Sequence, residues 1–153
     1  MARQFALALG IVFLGVGILG FIPTVTMTHP DPNLSINGPG TGMLLGLFHV
    51  NPLHNVVHIL FGVLGIAAAY GGWPRSYARF VAVAYALLAI MGLIPVARIN
   101  YTFGLIPIEG HDVWLHALIA IAAAIVGWGV ADRSTAPNTA NPDITDTGTT
   151  TRM

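Results

Sequence analysis

Apolar positions in this chain come in four long runs separated by polar segments. The runs cover about residues 5–22, 52–70, 77–94 and 113–130, each close to the ~20 helical residues that cross a hydrocarbon core. None alternates with the period of two that a barrel strand requires, so the pattern predicts helices, each satisfying its own backbone hydrogen bonds in lipid. The first run, "FALALGIVFLGVGILGFI", is free of charge and too long for a signal peptide, and no A-x-A cleavage site follows it. It reads as a retained span. The fold class expected is all-α, an integral membrane antiparallel four-helix bundle over residues 1–131.

The segments between the runs carry their own signals. "THPDPNLSINGPGTG" is rich in Pro, Gly and Asn and reads as an ordered or semi-ordered loop. "MLLGLFHV" is too short to cross and is expected at the interface. The polar, Thr-rich residues 132–153 are expected to be a disordered tail. Arg3, Arg75, Arg79 and Arg133 flank one side of the runs and only Arg98 the other. By the excess of cations on the cytoplasmic side, both termini lie in the cytoplasm, and residues 24–50 and 96–112 face outward.

Two halves of the chain match weakly. "GILGFIP" ends the first run and "AIMGLIP" the third, and a shift of 58 lays Gly46 on Gly104, His54 on Asp112 and His58 on His116. Two repeated helical hairpins are therefore expected, with convergence on common membrane residues as the alternative. Small residues at four-residue spacing, such as Ala6 and Gly10 or Ala120 and Ala124, suit close helix contacts where lipid supplies no hydrophobic drive. Trp73, Tyr77 and Trp128 are expected in a cytoplasmic aromatic belt, with Trp114 in the opposite one.

Composition strengthens the membrane reading: 55% of residues are hydrophobic and 8% charged, with a mean hydropathy of +0.75. A water-covered domain of this size has roughly a quarter of its residues charged. A net charge of zero argues against nucleic acid, since no basic surface exists to displace counterions from phosphates. With no cysteine, disulfides, thiolate nucleophiles, iron–sulfur clusters and thiolate-bound zinc are excluded. No phosphate-binding Gly-rich loop, Ser/His/Asp set or carboxylate pair points to an enzyme.

Chemistry concentrates in the histidines. In "HVNPLHNVVH", Asn51 and Pro52 form a strong helix start, which puts His54 in the first turn and His58 one turn deeper on the same face. "IEGHDVWLH" places Asp112 and His116 likewise on the last helix, with the acid favoured by the positive helix N-terminus. Five of the six histidines therefore gather at one end, with Glu109 and Asp112. Three readings compete. The histidines glue helices together by hydrogen bonds; or His54, His58, Asp112 and His116 bind a metal ion, with Glu109 as orienter; or His58 and His116 hold haem between facing helices. Proton relay is a further use of intramembrane ionisable groups. Partners expected are the bilayer, a second copy or another membrane protein.

The stretch "FHVNPLHNVVHILFGVLGIAAA" resembles a family of small four-span bacterial membrane proteins catalogued as domain of unknown function 4383. Its N-P-x-H-N-x-x-H motif corresponds here to Asn51, Pro52, His54, Asn55 and His58, followed by Gly62 in an apolar helix. The resemblance spans roughly residues 1–131 and implies four helices in the inner membrane. It implies no activity, so it does not choose among the three readings.

Overall fold

The computed structural model describes residues 1–96 and 98–129, so the expected Thr-rich tail lies outside the described residues. Among the described residues the chain is mostly helical. Helix α1 is Ala2–Leu19, α2 is Pro52–Gly71, α3 is Pro74–Gly92 and α4 is His111–Ala124, continued by a wider π turn over Ile125–Gly129. Among the described residues, three segments are long and apolar enough to cross a membrane by length and composition: Ala2–Leu19, Pro52–Gly71 and His111–Gly129.

Backbone contact between α1 and α2 follows from their small residues. Ala6, Gly10 and Gly17 are buried on α1, as are Gly62 and Gly65 on α2. A Cβ added at Gly10 would lie 2.8 Å from the Ile66 amide nitrogen, and one at Gly17 would lie 2.7 Å from the Asn55 carbonyl oxygen. The start of α1 thus meets the end of α2, so the two run antiparallel. Helices α3 and α4 do the same: Gly92 sits against Val113 at one end and Gly127 against Arg79 at the other. The two hairpins meet over a core of Ala6, Phe13, Ala68, Tyr77, Val81, Tyr85 and Ala123. Tyr77, expected in the aromatic belt, is instead 1% exposed, and its hydroxyl donates to the Phe61 carbonyl oxygen at 3.0 Å. A phenol one turn inside a helix pair finds a backbone acceptor there and gains burial as well. Trp73, Trp114 and Trp128 remain exposed.

The all-α expectation missed a small sheet. Strands β1 (Thr26–Thr28), β2 (Gly42–Leu44) and β3 (Phe48–Val50) form an antiparallel sheet in the order β1-β2-β3. "MLLGLFHV", expected at the interface, is β2, a tight turn and β3, with Met43 opposite His49. Leu45 and Gly46 take left-handed φ of 54° and 71° in that turn. Strands of three residues are too short for a period-two signal to emerge from the sequence. The long loop before β2 is ordered by its own side chains: the Asn37 amide group donates to the Asp31 and Leu34 carbonyl oxygens, both at 2.9 Å, while the Asp31 carboxylate accepts from the Asn33 amide. Sheet and loop sit over the end of the helices where α2 and α4 begin.

Candidate functional site

That end is organised by one residue. Asn51 is fully buried, and its Oδ1 accepts from the His54 amide at 2.9 Å, capping α2 as the Asn-Pro pair predicts. Its Nδ2 donates outward to two loops, to the Ile36 carbonyl oxygen at 3.1 Å and to that of Leu105 at 2.7 Å. The cap thereby fixes how the polar loops sit on the helices, and with them the depth of His54 and His58.

The predicted residues come together in part. His54, Asp112 and His116 are each 3% exposed, and His58 is half-buried. The rings of His54 and His58 lie 4.5 Å apart and those of His54 and His116 6.3 Å apart. His116 Nδ1–H donates to the Asp112 carbonyl oxygen at 2.6 Å, within its own helix. The bond sets the tautomer of His116 but joins no helices. Nδ1 of His54, Nδ1 of His58 and Oδ2 of Asp112 are buried without a hydrogen-bond partner.

Two aromatic side chains that the sequence analysis passed over complete the arrangement. His58 stacks on Phe13 of α1 at 5.6 Å, Phe13 on Tyr85 of α3 at 5.3 Å, and Tyr85 on His116 of α4 at 4.8 Å. With His54 between His116 and His58, five rings close a circuit that draws on all four long helices. A cavity of about 20 Å³ lies among His54, His58, Phe61, Tyr85, Ile108 and His116. That is room for about one water molecule, and haem does not fit between His58 and His116 in this packing.

A second histidine group lies just above. His49 of β3, 7% exposed, directs Nδ1 to Glu109 Oε1 at 3.1 Å and Nε2 to Asp31 Oδ2 at 3.5 Å. The Tyr101 hydroxyl donates to the same Glu109 oxygen at 2.8 Å, and both burial and this bond push the Tyr101 phenol above its usual range. His29, the sixth histidine, stacks on His49 at 5.9 Å, so it too joins this end. Among the described residues, Asp31, His49 and Glu109 form the one group of three or more His, Asp or Glu whose ligand atoms lie within 4.8 Å of one another. His54, His58, Asp112 and His116 form no such group there. Asp31 carried no sequence signal beyond the turn-forming "HPDPN", because its partner His49 is brought to it only by the sheet.

No curated protein and no solved structure matches the chain. A family model described as "Domain of unknown function (DUF4383)" matches residues 3–129, which include all four helices, the sheet and both histidine groups. With that match running through nearly every described residue, the chain belongs to the DUF4383 family.

Proposed function

We propose that the chain is a four-span protein of the inner membrane, with both termini in the cytoplasm, acting as a structural or binding/assembly protein. The residues 1–131 are its membrane domain, built of two repeated hairpins, and the histidine end faces outward. The observation that carries the reading is the closed ring circuit of Phe13, His54, His58, Tyr85 and His116. Stacked rings from four helices tie the histidine end of the bundle together, each pair being worth about 0.5–1.5 kcal/mol beyond its buried area. The histidines thus act as a lock by stacking rather than by hydrogen bonding.

Helix α3 is read as the fourth span. Its Val83, Leu87 and Ile90 are exposed apolar side chains that suit lipid. Arg79 at its start donates through Nε to the Gly127 carbonyl oxygen at 2.9 Å and lies over Trp128, which suits a headgroup-level anchor. Arg3, over the Tyr70 ring, anchors the same end. Since the chain has no cysteine, single introduced cysteines report the orientation. In intact cells, Leu47→Cys should react with a membrane-impermeant maleimide and Ser76→Cys should not. The reverse pattern would sink the topology.

The lock itself has a direct test. His58→Ala removes two ring contacts and should lower stability by about 2–3 kcal/mol, read by unfolding of the purified protein in detergent. His58→Phe keeps a stacking ring and removes an unpaired buried nitrogen, so it should stay within about 1 kcal/mol of the original. Equal losses in both variants would count against the lock. They would favour a second reading, a metal ion on the unpaired nitrogens of His54 and His58, which elemental analysis of the same samples would then have to detect.

A further inference from the structure

We propose that the cap over the helices carries a divalent transition-metal site, of the zinc type, formed by His49 Nε2 and Asp31 Oδ2. It is separate from the ring circuit and from the histidines of α2 and α4. A neutral imidazole has one N–H and one lone pair. The Nδ1–H of His49 is used on Glu109 Oε1 at 3.1 Å, a carboxylate held in turn by the Tyr101 hydroxyl at 2.8 Å. The lone pair on Nε2 then faces the carboxylate oxygen Oδ2 of Asp31 at 3.5 Å. Nε2 is buried and has no hydrogen-bond partner. Two acceptors facing each other in a buried place repel unless a cation lies between them.

The distances suit a metal ion in that role. Ligand atoms each ~2.0–2.1 Å from a tetrahedral zinc lie roughly 3.3 Å from one another, close to the 3.5 Å found between Nε2 and Oδ2. A metal-binding histidine ordinarily donates its other ring N–H to a carboxylate, which fixes the tautomer, and Glu109 stands in that place. Asp31 is held by its neighbours: Oδ1 accepts from the Asn33 amide at 2.8 Å, and the Asp31 amide donates to Asn37 Oδ1 at 2.9 Å. That leaves Oδ2 for the ion. The exposed His29 ring stacks over His49 at 5.9 Å and lies outside the group of ligand atoms. Water completes the shell. An ion there would tie together the loop before β2, strand β3 and the segment before α4, three pieces of chain far apart in sequence.

The test uses the full chain purified in detergent, with Zn²⁺ affinity read by competition against a chromophoric chelator and geometry read from the visible absorption of bound Co²⁺. The original protein should hold about one ion per chain with a tetrahedral Co²⁺ spectrum. Asp31→Asn should weaken binding by at least about tenfold while folding normally, because its amide nitrogen can donate to His49 Nε2. Glu109→Gln should weaken it about 10–100-fold through loss of the orienting charge. His58→Phe, in the ring circuit, should leave affinity unchanged. If folded protein holds no Zn²⁺, and nitrogen-resolved NMR finds His49 doubly protonated between its two carboxylates, the group is an imidazolium bridge and the proposal fails. Full affinity in Asp31→Asn would overturn it as well.

Discussion

Gly62→Ala is expected to be among the most damaging single-methyl additions in the chain. The new Cβ would lie 2.5 Å from the Leu14 amide nitrogen and 2.8 Å from both Leu14 Cα and the Gly10 carbonyl oxygen. All three are backbone atoms of α1, so no side chain can swing aside, and the helices must separate along the contact that holds the first hairpin. Overpacking of this kind costs about 1–3 kcal/mol where side chains can yield, and here a loss of about 3 kcal/mol or more is expected. Gly15→Ala is the matched control: its Cβ would meet nothing within 4 Å, and replacing a helical glycine by alanine favours the helix by up to about 1 kcal/mol. Reversible unfolding in mixed micelles measures both. A Gly62→Ala protein as stable as Gly15→Ala would show that α1 and α2 do not touch through their backbones.

Asn51→Ala should produce the second large loss. The substitution removes the cap on α2, worth about 1 kcal/mol, and leaves the carbonyl oxygens of Ile36 and Leu105 without their buried donor, at about 1–3 kcal/mol each. A fall of about 3–7 kcal/mol is expected, together with faster proteolysis of the loops at residues 29–41 and 98–110. Asn51→Ser separates the two roles. A serine hydroxyl still caps the helix but is too short to donate to both loops, so it should recover only about 1 kcal/mol of the loss. Full recovery with serine would show that capping alone matters and that the loops are fixed by other contacts.

How far these effects were legible in the sequence differs between them. The Asn51–Pro52 start was readable because a helix cap is local: acceptor and amide are three residues apart. The two donations from Asn51 span 15 and 54 residues, and nothing in the linear pattern records them. Gly62 stood within an apolar helix next to the motif, yet whether it faces lipid or a neighbouring backbone depends on the rotation of α2 against α1. Tyr77 illustrates the same limit. Its place near a helix end suggested a belt residue, but its face of α3 points inward and its hydroxyl finds Phe61.

The candidate site divides along similar lines. The four-residue spacing of His54 and His58, and of Asp112 and His116, placed each pair on one helix face before any tertiary contact was known. That Phe13 and Tyr85 stand between the two pairs is a matter of which faces of α1 and α3 turn inward, and apolar runs this uniform leave that open. His49 was visible only as one of several histidines near one end. The antiparallel register of β2 and β3, with Met43 opposite His49, and the Asn37-braced loop bring Asp31 to it.

By itself the sequence determined what period, composition and local capping can encode: four apolar runs, a polar histidine-bearing end, helix starts at an Asn-Pro pair, and the family motif. These depend on interactions within one turn of chain or on summed transfer free energy, so one segment suffices to reveal them. Only the tertiary structure decided which glycines meet backbone, which rings stack, and which acid faces Nε2 of His49. Those outcomes depend on helix rotation and strand register, where a shift of one residue or a few tens of degrees exchanges a buried neighbour for lipid or water.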